Sequence, residues 1–160
     1  MVRLTLLAAL AAYAALPAFA QVKIGLMVSA TGPTSAIGIP QKNTGDLLPR
    51  RIGATTIEYV QLDDGGDTTR AVQNAKRLVQ QDNVDALIGP STTPNALAIL
   101  DVIAEAGVPM MATVGTSAVV EPLDAKKRWV FKTTQNDDLI AAALIKHMQK
   151  AGVKSVGFVG

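Results

Sequence analysis

The sequence contains no cysteine and a single histidine, His147. The first absence excludes disulfides, thiolate metal sites and cysteine nucleophiles, and says little about the redox compartment. The second leaves no nucleophile–base set to assemble, because His147 stands in the helical pattern KHMQK, which faces solvent. A charge excess is missing too. Fifteen Lys+Arg face 13 Asp+Glu, and without Arg3 the comparison is 14 against 13. No basic run with interleaved aromatics occurs, so nucleic acid is not an expected partner. The densest basic cluster, Lys126-Lys127-Arg128, reads as a solvated loop. Repeats and low-complexity segments are also absent. At 160 residues and 49% hydrophobic, the chain has enough apolar material for one core.

The N-terminus carries an address. Arg3 precedes an apolar run over residues 4–16, and Ala18-Phe19-Ala20 has the small-x-small form of a signal-peptidase site. The run is too short for a comfortable membrane anchor. Residues 1–20 are therefore expected to be a cleavable export signal, with Gln21 opening the mature chain and an uncleaved anchor as the alternative.

Residues 22–28 (VKIGLMV) form a nearly continuous apolar run, as buried parallel strands do. Residues 40–51 are expected to be an irregular or broken helix, because Pro40, Gly45 and Pro49 interrupt them. Residues 55–62 alternate as a second strand. Asp67 or Thr68 caps a helix running through Gln81, with Ala71, Ala75, Leu78 and Val79 on its buried stripe. A short strand follows at residues 129–132. The next helix opens on Asp137 and Asp138, which suit its positive end, and turns Leu139, Ala142, Ala143 and Leu144 inward. Residues 155–159 begin another strand. The alternation gives an α/β doubly wound, mostly parallel sheet flanked by helices. The chain stops at Gly160 on an apolar strand with no helix to cover it, which is the expectation for a fragment or a product cut short.

The stretch at residues 86–117, ALIGPSTTPNALAILDVIAEAGVPMMATVGTS, organises the rest. It reads as a strand, a hydroxyl-rich turn, a helix from Pro94 bearing Leu97, Leu100, Ile103 and Ala104, a strand containing Val108, Met110 and Met111, and a second hydroxyl-rich turn. A right-handed βαβ unit puts both turns on the carboxyl edge of one sheet. Thr93 is expected as the helix N-cap with Pro94 at the first helical position. The free N–H groups there, with a Thr hydroxyl, can hold a carboxylate, but this turn taken alone favours the plainer role, in which Thr93 merely caps its own helix. The neighbouring turn with Gly115, Thr116 and Ser117 raises the binding reading to stand level with capping.

Asp63, Asp64 and Asp67 fit no EF-hand spacing, and a turn plus a cap accounts for all three, so no metal is expected. Residues 31–38, TGPTSAIG, lack the G-x-G-x-x-G of a dinucleotide loop, and no cofactor is expected.

Taken in order, VKIGLMVSATGP, QLDDGGDTTRAVQNAKRLV, DALIGPSTTPNALAILDVIAEAGVPMMATVGTS, WVFKTTQNDDLIAAALIKHM and VKSVGFVG resemble the periplasmic substrate-binding proteins of branched-chain amino acid ABC transporters, the leucine/isoleucine/valine type. The resemblance implies a type I periplasmic-binding-protein fold with two α/β lobes closing on a ligand. It implies residues 21–150 as the amino-terminal lobe and residues 151–160 as the start of the second. Thr93 and Thr116 would then grip the ligand's α-carboxylate, with Ser91 and Thr92 lining the pocket. A carbonyl near Val114 would accept from the ligand's ammonium, and Gly115 would let the backbone approach closely. It further implies a periplasmic, non-enzymatic protein, monomeric when full length, that takes an amino acid or similar carboxylate to an ABC permease. A ligand-sensing receptor domain of the same fold is the alternative. Two features depart from the family: Ile37 stands where some members place an aromatic, and the residues after Pro40 are short and interrupted where relatives carry a long helix.

Overall fold

The computed structural model describes residues 21–157. The expected export signal and residues 158–160 lie outside them. Strand β1 (Gln21–Val28) leads to helix α1 (Ser35–Asp46), a two-residue β2 (Arg51–Ile52), β3 (Thr55–Asp63) and helix α2 (Thr68–Gln80). Then come β4 (Ala86–Ile88), helices α3 (Thr93–Ala98) and α4 (Leu100–Ala106), β5 (Met110–Ala112), a 3₁₀ turn (Ser117–Val119), β6 (Val130–Lys132) and α5 (Asp137–Lys150).

The six strands make one sheet in the order β2-β3-β1-β4-β5-β6. Every pairing is parallel except the β2–β3 hairpin, which the sequence reading missed. From β1 the chain moves outward to β3, then returns past β1 to β4. The carboxyl ends of β1 and β4 therefore open into a crevice at the point where strand order reverses, the usual ligand position in such sheets.

Strand pleating divides the side chains between two faces. Met27, Leu87, Met110, Ala112 and Val130 point to one face, where Ala71, Ala75 and Leu78 of α2 and Ala96, Ile99 and Ile103 of the α3–α4 pair complete a closed core. The amphipathic stripe expected of α2 is confirmed by Ala71, Ala75 and Leu78, with Val79 half-buried beside them. Asp67 is its N-cap and accepts from the Arg70 N–H at 2.7 Å.

Several expectations need correction. The segment expected to be irregular holds a continuous helix, which begins five residues before Pro40 and ends at Asp46. Its glycine content reflects contact, not disorder of the turn. A Cβ on Gly38 would collide with the Ser29 carbonyl, so the glycine lets α1 lie against the end of β1. The helix read from Pro94 onward is interrupted at Ile99, and Leu97 on it is exposed. Strand β5 begins at Met110 rather than Val108.

Helix α5 buries no residue: Leu139 is 62% exposed and Leu144 55%. Its apolar spacing is real, but among the described residues nothing packs over it. Residues 155–157 carry no strand.

Candidate functional site

The expected juxtaposition of the two hydroxyl-rich turns is present. Strands β4 and β5 are neighbours in register Ile88↔Met111. The Gly89 N–H donates to the Met111 carbonyl at 3.0 Å, and the Thr113 hydroxyl donates to the Pro90 carbonyl at 2.8 Å. Both turns thus leave the carboxyl edge side by side, next to the β1–β4 crevice.

In the first turn the helix cap falls one residue earlier than expected. Thr92 holds the extended N-cap conformation (φ −125, ψ 148), Thr93 is the first helical residue and Pro94 the second. Neither threonine makes a side-chain capping bond, so Thr93 does not cap its own helix. Helix α3 is only six residues long, so its dipole can add little to anion binding. Ser91 is buried, and its hydroxyl is committed. It accepts from the Ser29 N–H at 3.0 Å and donates to Gln41 Oε1. The Thr92 hydroxyl is buried without a protein partner, as are both polar atoms of fully buried Asn95 one turn on.

In the second turn the carbonyls already carry partners. That of Val114 accepts from the Thr134 hydroxyl at 2.6 Å, leaving one lone pair. The Lys132 ammonium donates to the carbonyls of Gly115 at 2.6 Å and Thr116 at 2.9 Å. The Thr116 hydroxyl accepts from the Ala118 N–H at 3.2 Å, capping the 3₁₀ turn. Gly115 also accepts from the Asp137 N–H at 3.0 Å, which brings the start of α5 against the turn. Lys132 therefore places a positive charge within the turn expected to meet a carboxylate.

The loop after β1 is fixed by two carboxylates. The Ser29 hydroxyl donates to fully buried Asp64 at 2.6 Å. Burial raises the Asp63 pKa, but the Thr31 hydroxyl and the N–H groups of Gly65, Thr31 and Ala30 stabilise its charged form, and the net value lies below the ordinary 3.8. Asp63, Asp64 and Asp67 thus each serve a loop or a cap. Among the described residues no group of three His, Cys, Asp or Glu side chains is placed to hold a metal ion. His147 is exposed in the last turn of α5.

Sequence reasoning missed Gln41, Ser29, Thr113, Lys132, Thr134 and Asp137. Their common feature is distance along the chain: Gln41 and Ser91 are 50 residues apart, and Lys132 lies 17 from Gly115. A cavity of about 310 Å³ adjoins the turns between α1 and the sheet, with Gln41 and Thr113 among mostly apolar neighbours such as Leu26, Leu48 and Ile88.

The periplasmic binding protein family model matches residues 21–160. A Leu/Ile/Val-binding protein of Rhizobium johnstonii is 34% identical over 142 residues, which make up 83% of this chain and 37% of that protein. The solved structure of an extracellular ligand-binding receptor from Rhodopseudomonas palustris HaA2 superposes with a TM-score of 0.80 at 43% identity, covering 83% of this chain and 37% of that one. A leucine-binding protein from Thermotoga maritima MSB8 superposes with a TM-score of 0.69 at 25% identity, covering 82% of this chain and 38% of that one. The chain thus spans between a third and two fifths of the length of these relatives.

Proposed function

Because the chain belongs to the periplasmic binding protein family, we propose that it forms the amino-terminal lobe of an exported solute-binding protein that captures a small carboxylate for an ABC permease. A branched-chain amino acid or a related acid is the ligand class. The named relatives are binding proteins rather than enzymes, and two of them are described by leucine or by Leu/Ile/Val.

The observation that carries the reading is the pair of turns tied together at the sheet's carboxyl edge, with the Lys132 ammonium inside the second. In this reading Thr93 and Thr116 meet the ligand carboxylate with hydroxyl and backbone N–H groups, and Lys132 biases the turn toward an anion. The free lone pair on the Val114 carbonyl accepts from the ligand's ammonium. Thr92 lines the site. Ser91 supports it from below, since its hydroxyl is already engaged. Residues 1–20 direct export to the periplasm and are removed, residues 151–160 lead into a second lobe, and the full-length protein acts as a monomer.

Calorimetry on the full-length protein with branched-chain, aromatic and dicarboxylate ligands tests this. Thr93→Ala and Thr116→Ala should each weaken binding of the best ligand by at least about tenfold, the size of one charge-assisted hydrogen bond. Unchanged affinity in both would remove the site assignment. The Rhodopseudomonas palustris relative, a ligand-binding receptor, keeps a second reading open, that of a ligand-sensing domain. A membrane-spanning helix encoded downstream in the full gene would favour it over transport.

A further inference from the structure

We propose that Gln41, on α1, is a positioning residue of this site that holds the two ligand-facing turns at a fixed spacing. The inference rests on the binding reading above. Beyond the last β4–β5 backbone hydrogen bond, every hydrogen bond that joins the turns involves a side chain. The Ser91 hydroxyl donates to Gln41 Oε1, Gln41 Nε2 reaches the Thr113 hydroxyl oxygen at 3.5 Å, and the Thr113 hydroxyl donates to the Pro90 carbonyl at 2.8 Å. These three links close a ring through both turns. Each hydroxyl donates once and accepts once within or beside it, because Ser91 takes the Ser29 N–H at 3.0 Å.

Gln41 supplies the one side chain in the ring from outside the βαβ unit. Its amide suits the bridge, offering an acceptor on one side and a donor on the other from a helix seated against β1. The Thr113 link, at 3.5 Å, lies at the long limit of a hydrogen bond, so the second turn depends on Gln41 less than the first does. The chain continues through Ser29 to Asp64, whose Oδ1 takes both the Ser29 hydroxyl and the Gly66 N–H. The spacing of the turns is thereby referred back to the β1 and β3 ends.

The test uses the full-length protein, with leucine and the ligand panel above as probes. Gln41→Met keeps the shape and removes both hydrogen bonds. It should weaken the best ligand about tenfold. Gln41→Glu keeps an acceptor for Ser91 but adds a negative charge beside the carboxylate site, so its loss should shrink as salt is raised while that of Gln41→Met does not. Adding Gln41→Met to Ser91→Ala should cost little more than Ser91→Ala alone, because the Ser91–Gln41 link is already gone and only the weak Thr113 link remains to be lost. In the unliganded protein, Gln41→Met should move the backbone amide resonances of both turns.

An affinity in Gln41→Met equal to the parent's, additive losses with Ser91→Ala, or resonance changes confined to α1 would each overturn the proposal. Melting temperatures separate a folding defect from these outcomes. If Thr93→Ala and Thr116→Ala weaken binding while Gln41→Met does not, Gln41 is excluded and the site assignment stands. If the Thr variants bind normally, the assignment itself fails, and the resonance measurement still decides whether Gln41 joins the turns.

Discussion

The Asp137 carboxylate packs over the α-carbon of Gly115 so closely that a Cβ on Gly115 would collide with it. The start of α5 therefore crowds this glycine, whatever a ligand requires. Asp137 is exposed, so its side chain can rotate away, and Gly115→Ala should cost only about 1 kcal/mol, the low end of overpacking effects. Thermal unfolding of Gly115→Ala, Asp137→Ala and the double variant checks this. The double variant should recover most of the loss, and additive losses would show that the contact is not the cause.

Lys132 joins β6 to the second turn through two carbonyls, and its charge sits where the proposed carboxylate would arrive. Lys132→Met retains the aliphatic stem and removes the charge. Affinity of the full-length protein for its carboxylate ligand should fall roughly tenfold to a hundredfold, as for loss of a charged hydrogen bond. The salt dependence of binding should shrink with it. An unchanged dissociation constant would show that Lys132 serves the turn alone.

Much of this arrangement is legible in the sequence, and the rest is hidden for physical reasons. Strands β1, β3 and β4 and helix α2 follow from local periodicity and from the Asp67 cap, which act within a few residues. Helix α1 is obscured because Pro40 and Gly45 read as breakers, while a Cβ on Gly45 would collide with Gln61 and Leu26. Helix α5 shows the converse. Its apolar spacing specifies a face, yet spacing does not say what covers that face, and Leu139 remains exposed. At the site, Thr93 and Thr116 stand out as hydroxyls in turns. Gln41 and Lys132 do not, because their roles arise only when distant strands and helices meet.

The acid sensitivity of the loop after β1 follows from Asp63. Its folded pKa lies below the ordinary 3.8 because hydrogen bonds from Thr31, Gly65 and Ala30 outweigh the effect of burial. A carboxyl depressed in the folded state stabilises the fold above its unfolded pKa, and that contribution is lost as pH falls through the folded value. Stability should therefore decline below about pH 3.8. Asp63→Asn should be less stable than the parent at neutral pH and show a shallower decline across the acid range. An identical acid limb in both proteins would assign the sensitivity to other groups.

The face of the sheet opposite the closed core bears on how residues 21–160 behave in solution. Parallel sheets are ordinarily covered on both sides. Here α1 lies over the β1 end of that face, whereas Met111 on β5 and Phe131 on β6 stay 37% and 51% exposed. With Ile24 and Ile88 beside them they line an apolar groove. Such a surface favours self-association, since each large side chain removed from water contributes about 1.5–3 kcal/mol. Size-exclusion chromatography of residues 21–160, freed of the apolar run at residues 4–16, should show species larger than a monomer at raised concentration. Met111→Lys combined with Phe131→Lys should shift the population to monomer while leaving the circular dichroism spectrum unchanged, because both side chains point away from Met27, Leu87 and Met110 in the closed core. Association that persists in the double variant would move the sticky surface to α5, where Leu139, Ile140, Leu144 and Ile145 are also exposed.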